Sequence, residues 1–307
     1  MTSNFPKFTG IRLEDKDSYD KFISNYPPYS DILFPTLQIW WNIEGELSTS
    51  YLNKNLVIHY SQSFDHENAG YCLVGKSSVD KSIETIFSYL RKEHKTIRLV
   101  HVPEFVIKEI EHIDDFEIIE ELDYNEYIID CKGMAKLDTP EYGRIRRGVN
   151  RFLREVGDKK IEIINLNLSS PSKNKQLLDA INDWGETSHG KNDPLGMEKQ
   201  AIKRTLKLES HLNIKNFAIY IDGEMHGLVL YHRPMGGSYY VGHHLKVNYK
   251  FSYIFDYMIH QLAIKGVNDG ISYINCEMDL GIESLRSHKM KLRPVDFFRK
   301  YTILPKS

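Results

Sequence analysis

Two groups of residues carry the chemistry open to this sequence. The first lies near its end, where Glu277 and Asp279 are followed by Arg286, His288, Lys289, Lys291 and Arg293, and then by Arg299 and Lys300. A carboxylate beside such cations can hold an amino group or take a proton, while the cations can hold a phosphate or carboxyl group or stabilise a developing oxyanion. Glu277, Asp279 and Arg286 are the expected catalytic residues, with Asn275, Lys289 and His243 expected to bind substrate. Structural ion pairing at a strand-to-helix junction would give the same pattern. The second group is five arginines between residues 144 and 154. Arg144, Arg147, Arg151 and Arg154 recur at offsets of three, four and three, with no acid between Glu141 and Glu155. On a helix they form one stripe, and guanidinium forks match phosphate geometry, so a polyphosphate or tRNA backbone could lie along it. A solvated helix face has the same composition.

Other motifs are weaker. The segment Gly70-Tyr-Cys-Leu-Val-Gly75-Lys76-Ser77 fits the phosphate-loop pattern of nucleotide triphosphatases. Residues 71–74, however, read as a strand rather than a loop of converging N–H groups. Residues 64–69 before it are polar, and no apolar strand ending in a magnesium-binding Asp accompanies it. His243 and His244 have no second ligand at metal spacing, so no metal is expected. Cys72, Cys131 and Cys276 are far apart and odd in number, which fits neither a disulfide framework nor a thiolate zinc site and suits a reducing cytoplasm. Nothing pairs Cys276 with a base, so a small buried thiol is its expected state.

The elements that must position these groups can be read from patterning. The 307 residues are 41% hydrophobic with 40 basic against 42 acidic side chains, which is soluble-globular composition without global attraction to nucleic acid or anionic membrane. No apolar run approaches a membrane span, and a cytoplasmic protein is expected. The first half reads as a charged helix at 14–24, an aromatic and proline-rich passage at 26–41 too apolar for a solvated loop, strands at 55–60 and 71–74, a helix at 79–93, a strand at 96–100 and a helix from Pro103. Residues 104–126 carry ten acids and one lysine, leading into an alternating stretch at 124–131. This reads as a paired edge with an acidic outer face. Composition changes after Gly133, which places a domain boundary there and gives domains 1–133 and 134–307. The second begins with a basic amphipathic helix at 142–156, with Ile145, Val149, Phe152, Leu153 and Val156 as its apolar positions. A strand at 161–166 follows, then a helix opened by Ser170 and Pro171 with Leu177, Ile181 and Trp184 on one face, and another helix after Asp193 and Pro194. Strands at 217–221 and 225–231 flank Asp222-Gly223, the strongest hairpin signal, and a third strand covers 238–244. A helix at 249–265, a strand at 271–274, a helix at 281–290 and a strand at 296–304 end the series.

This order in the second half is that of the Gcn5-related N-acetyltransferase (GNAT) fold, and the first half repeats it less clearly. The expected fold is α+β, two tandem GNAT-like domains, each a mixed sheet with flanking helices. Acyl-CoA-binding members of that fold carry an (Arg/Gln)-x-x-Gly-x-(Gly/Ala) turn after the fourth strand. This chain has Lys246-Val-Asn-Tyr-Lys-Phe251 there, and without those glycines the backbone cannot approach a pyrophosphate as closely. Ordinary acyl-CoA use is disfavoured.

The chain resembles the phosphatidylglycerol lysyltransferase C-terminal domain family, the soluble catalytic part of lysyl-phosphatidylglycerol synthases and its stand-alone relatives. The resemblance rests on Leu13-Glu-Asp-Lys16, Tyr29-Ser-Asp-Ile-Leu-Phe-Pro-Thr-Leu-Gln-Ile-Trp40, Arg146-Arg-Gly-Val-Asn-Arg-Phe152, Ile274-Asn-Cys-Glu-Met-Asp-Leu-Gly281 and Ser284-Leu-Arg-Ser-His-Lys289. Where relatives commonly read Asn-Arg-Glu, this chain has Asn275-Cys276-Glu277. The resemblance implies transfer of an aminoacyl group from aminoacyl-tRNA to a hydroxyl or amine of a lipid or small molecule. That donor would suit both the arginine helix and the missing CoA grip. No cofactor is expected, tRNA and the acceptor are the expected partners, and DNA is not. A non-catalytic RNA- or aminoacyl-ligand-binding protein and an atypical acyl-CoA-dependent N-acyltransferase are the alternatives.

Overall fold

The structure, a computed structural model, describes residues 3–41, 47–60, 70–168, 177–179 and 197–306. The chain divides into two compact units. One comprises Met1–Glu126, Met278–Ile282 and Phe297–Ser307, and the other Tyr127–Glu277 and Glu283–Asp296.

One order of elements occurs in both. In the first unit Ser48–Leu52, Asn55–Tyr60 and Gly70–Val74 are antiparallel neighbours, the helix Val79–Lys92 follows, and Leu99–Pro103 returns parallel to Gly70–Val74. In the second, Lys215–Ile221, Glu224–His232 and Tyr239–Val247 are antiparallel, the helix Ile254–Asn268 follows, and Tyr273–Asn275 returns parallel to Tyr239–Val247. The result is two mixed sheets with flanking helices, an α+β architecture.

Each sheet also takes a strand from the opposite half of the sequence. Lys300–Pro305 lies between Leu99–Pro103 and Phe116–Glu120 in the first sheet, antiparallel to both. Glu126–Asp130 lies antiparallel to Tyr273–Asn275 in the second. The division into 1–133 and 134–307 differs from this in two respects. The chain crosses to the second sheet before Gly133, and its end returns to the first. Strand partners are chosen by hydrogen bonding between distant residues, which a shift of composition along the chain does not record.

Local chemistry accounts for the elements around the candidate residues. Asp222 and Gly223 both take positive φ, 50° and 82°, between the paired residues Ile221 and Glu224, as a tight hairpin requires. The helix Gly143–Val156 buries Ile145, Val149, Phe152 and Val156, and Phe152 stacks on Tyr257 at 4.6 Å. Each such side chain contributes about 1.5–3 kcal/mol of burial. Leu153, expected in the same apolar face, is exposed, because it lies one residue round the helix from Phe152. The 26–41 passage forms short turns at Ser30–Ile32, Phe34–Thr36 and Leu37–Trp41 that are almost wholly buried. Phe116–Glu120 ends its sheet with alternating exposure, an acidic edge strand.

Several expectations are corrected. Lys300, grouped above with the site cations, is fully buried in the first unit, where its ammonium pairs with Asp31 and with Glu126 at 2.6 Å. Arg299 faces Glu104 and Glu120 at 3.5 and 3.7 Å. Both thus face carboxylates of the first unit. The helix from Pro103 is only Glu104–Ile107. The phosphate-loop lookalike holds its own side chain instead of a phosphate. Gly70–Val74 is a paired strand, and the turn after it closes on Asn55, whose Oδ1 accepts from Ser77 N (3.0 Å) and whose Nδ2 donates to Ser77 O (2.6 Å). A Cβ at Gly75 would stand 2.2 Å from Asn55 Oδ1. The helix expected from Ser170 with Ile181 and Trp184, and the start at Asp193 and Pro194, lie outside the described residues; the helix Met197–Leu212 lies within them.

Candidate active site

The site is built at an irregularity of the second sheet. The Tyr239–Val247 strand pairs Leu230 with His244, then Tyr231 with Gly242, so His243 is the extra residue of a β-bulge. Bulges bend a strand and re-aim a side chain. The buried His243 ring places Nδ1 3.0 Å from Glu277 Oε1 and Nε2 2.7 Å from His232 Nδ1. The two imidazoles lie parallel, 6° apart, with centroids at 4.8 Å. An ionised carboxylate only accepts, so with Glu277 charged His243 donates from Nδ1 and its Nε2 accepts from His232.

Glu277 stands where the parallel pair opens. Pairing between the strands ends at Val241 and Asn275, while Tyr239–Val247 runs on. Glu277 takes φ +57°, a left-handed conformation that costs a side-chain-bearing residue about 1–2 kcal/mol. The turn is fixed on every side. Asn275 Oδ1 accepts from Glu277 N (2.8 Å), Tyr127 N donates to Glu277 O (3.3 Å), and Cys276 N donates to Tyr127 O (2.9 Å). The Glu277 side chain is 14% exposed. Its Oε1 is held by His243, and its Oε2 has no partner among the described residues.

Asn275 is buried and shapes this turn through its Oδ1. Lys289 is half-buried on the helix Glu283–Lys291, donates to Cys276 O at 2.7 Å and lies 5.7 Å from the centre of the Tyr127 ring, within cation–π range. Arg286 lies one turn earlier on that helix, also half-buried. Burial pushes the Cys276 thiol up to about 12, against the pull of Lys289, which makes it a poor nucleophile at neutral pH. Asp279 is bonded differently. It is fully buried in the Met278–Ile282 segment of the first unit, and its Oδ1 accepts from Gly281 N at 2.9 Å. Leu280 and Gly281 there take positive φ, and Leu280 N donates to Asp123 O. Glu277 is thus bonded to a histidine pair, while one oxygen of the fully buried Asp279 accepts from its own turn. His232 was not among the expected site residues. Its only sequence signal is its position at the end of a hairpin strand across the Gly236-Gly237 turn from His243.

The arginine helix presents Arg147, Arg151 and Arg154 to solvent, and with Asn150 and Leu153 they line a shallow groove. Arg144 is half-buried and 3.9 Å from the buried Asp256. Burial raises the Asp256 carboxyl, against Arg144 and Lys291. The same pair of cations and Lys289 add to burial in lowering His288 to about 4. Arg151 Nη1 donates to Tyr253 OH at 2.9 Å. Among the described residues, no group of three or more His, Cys, Asp or Glu side chains is arranged to hold a metal ion.

Two mixed sheets of repeated order, with a carboxylate–imidazole chain at the opening of one, define the class of fold. Residues 40–304 match the family described as phosphatidylglycerol lysyltransferase, C-terminal, and the chain belongs to that family. The fold is similar to that of a conserved protein of unknown function from Bacteroides thetaiotaomicron, with a TM-score of 0.83 and 21% identity over 97% of this chain and 99% of that one. It is similar to the C-terminal domain of a lysylphosphatidylglycerol synthetase homologue from Agrobacterium fabrum, with a TM-score of 0.64 and 10% identity over 96% and 92%. L-PGS from Bacillus licheniformis is similar with a TM-score of 0.57 and 15% identity over 86% and 85%. No curated protein is detectably similar in sequence. Among the described residues no helix is long and apolar enough to cross a membrane.

Proposed function

We propose that the chain transfers an aminoacyl group from aminoacyl-tRNA to a hydroxyl or amine acceptor, a lipid or a small molecule, and that each unit is one Gcn5-related domain, with the second active. The observation that carries this reading is the Glu277 carboxylate, one oxygen fixed by His243 and the other without a partner among the described residues. Glu277 Oε2 takes the proton of the acceptor as its oxygen or nitrogen attacks the ester carbonyl. The tetrahedral oxyanion is stabilised by Arg286, with Lys289 in support. The bond to the donor oxygen then breaks, and the proton on Glu277 passes to that leaving oxygen. His243 is a positioning residue, backed by His232. The arginine helix holds the donor's phosphates through Arg144, Arg147, Arg151 and Arg154. Family membership supports the transferase class, and the Lys246-to-Phe251 turn without glycine favours a donor other than acyl-CoA.

The test is single-turnover transfer of labelled amino acid from tRNA, charged in turn with each amino acid, to phosphatidylglycerol vesicles or to small amines and alcohols. The expected result is transfer by wild type and a loss of about a hundredfold or more in Glu277→Gln with donor affinity retained. Absence of transfer from every charged tRNA, with RNA binding intact, would favour a binding protein. Transfer from acyl-CoA alone would replace the donor assigned here.

A further inference from the structure

The loop between the Tyr239–Val247 strand and the Ile254–Asn268 helix carries Tyr249 and Tyr253, which remain 55% and 38% exposed. Large rings left in water on a loop bonded to the arginine helix need an account. Tyr253 also takes φ +60° and ψ 12°, a conformation rare for a bulky side chain, and such outliers concentrate at functional positions.

The loop is anchored to the arginine helix at three points. Arg151 Nη1 donates to Tyr253 OH at 2.9 Å, and its guanidinium carbon is 5.5 Å from the ring centroid. Ser252 N donates to Glu155 Oε2 at 2.9 Å. Gly148 admits the close approach, since a Cβ there would stand 3.1 Å from Tyr253 Cδ1. The ring of Tyr253 is thus locked against the helix whose exposed face is the groove of Arg147, Asn150, Arg151, Leu153 and Arg154.

From this arrangement we infer that Tyr253 and Tyr249 are a stacking platform for unpaired RNA bases, and that the arginine helix therefore receives a single-stranded RNA end in preference to duplex. The inference rests on the reading of that helix as an RNA contact and names the part of the RNA it takes. Arginines alone hold backbone phosphates of any nucleic acid. Exposed aromatic rings on the loop bonded to that helix add faces on which unstacked bases lie, a contact that duplex bases, already stacked, cannot make. The left-handed backbone of Tyr253 and the bond from Arg151 to its hydroxyl fix one ring in advance.

The experiment titrates the full chain with two RNA hairpins, one with a short unpaired 3′ extension and one blunt. The proteins are wild type, Tyr253→Ala, Tyr253→Phe, Tyr249→Ala and a variant with Arg144, Arg147, Arg151 and Arg154 all changed to Gln. The expected result is wild-type preference for the extended hairpin and a loss of about tenfold in each alanine variant for that hairpin only, with the salt dependence unchanged. Tyr253→Phe keeps the ring and should keep the affinity, while the arginine variant weakens both hairpins. Alanine variants that bind the extended hairpin as wild type does, with the arginine variant impaired, would overturn the platform and leave the RNA reading standing. Wild type that binds neither hairpin would overturn both.

Discussion

A Cβ on Gly148 would stand 2.1 Å from Oδ2 of Asp256, so the carboxylate rests against the backbone of the arginine helix. Asp256 is 3% exposed and that oxygen makes no hydrogen bond among the described residues. In an exposed helix, glycine to alanine gains about 1 kcal/mol. Here the overlap is with a buried group that cannot swing into solvent, so Gly148→Ala should destabilise the protein by about 1–3 kcal/mol in urea unfolding. In an Asp256→Ala background most of that cost should disappear, leaving the 3.1 Å approach to Tyr253 Cδ1. A Gly148→Ala single variant of raised stability would contradict the contact.

Glu277, 14% exposed and bonded to His243, and Asp279, fully buried, should give different phenotypes. Glu277→Gln should lower the chemical step by about a hundredfold or more while unfolding stays near wild type. Asp279→Ala removes a fully buried carboxylate together with its bond to Gly281 N and should cost about 1–3 kcal/mol of stability, lowering every function in proportion. His243→Gln should resemble a weaker Glu277→Gln, because it releases Oε1 without removing the base. Equal kinetic losses at undiminished stability in both carboxylate variants would return Asp279 to the mechanism.

The parts of the fold that are local were legible in the residues. Asp222-Gly223 declares its turn because only such residues take two positive φ values, and the arginine stripe declares a helix by its spacing opposite Ile145, Val149 and Phe152. Glu277, Asn275 and Lys289 are close in sequence and meet in one turn, so their grouping was visible too. What was not visible depends on pairing at a distance. His232 joins His243 only because a bulge shifts the register between Leu230 and Tyr231. Lys300 looked like a site cation from its neighbours, yet its partners Asp31 and Glu126 are distant in sequence.

Acid should destabilise the protein in two stages. Burial, followed by the charge of Lys95, lowers His59 to about 4, and burial with Arg144, Lys291 and Lys289 lowers His288 to about 4. The unfolded chain binds these protons first, from the ordinary value of 6.5, so their contribution is full above 6.5 and is lost as pH falls to about 4. Glu121 acts lower. Burial alone would raise it, but the His101 charge and the bonds from His101 and Thr302 outweigh burial and hold it at about 2. Its contribution is present above the ordinary 4.5 and is lost as pH falls through about 2. Urea midpoints measured against pH should therefore decline first between 6.5 and 4 and again below 4.5. His59→Gln should flatten the first limb and Glu121→Gln the second; an unchanged first limb in His59→Gln would remove that histidine from the account.

The four arginines should not contribute equally to RNA binding. Arg147 and Arg154 are exposed and make no bond to another side chain among the described residues, so each can neutralise a phosphate without giving up an internal partner. Arg144 is 3.9 Å from Asp256, which offsets part of its charge, and Arg151 is bonded to Tyr253. A neutralised phosphate contributes about 0.7 to 0.9 to the slope of log affinity against log salt. Arg147→Gln and Arg154→Gln should each reduce the slope by nearly that amount and leave the melting temperature unchanged. Arg144→Gln should reduce the slope less and also lower stability, because it leaves a buried carboxylate without its nearest cation. Binding isotherms over a range of salt, with thermal unfolding of the same samples, separate these effects. Equal slopes in wild type and in Arg147→Gln/Arg154→Gln would make the stripe a solvated helix face.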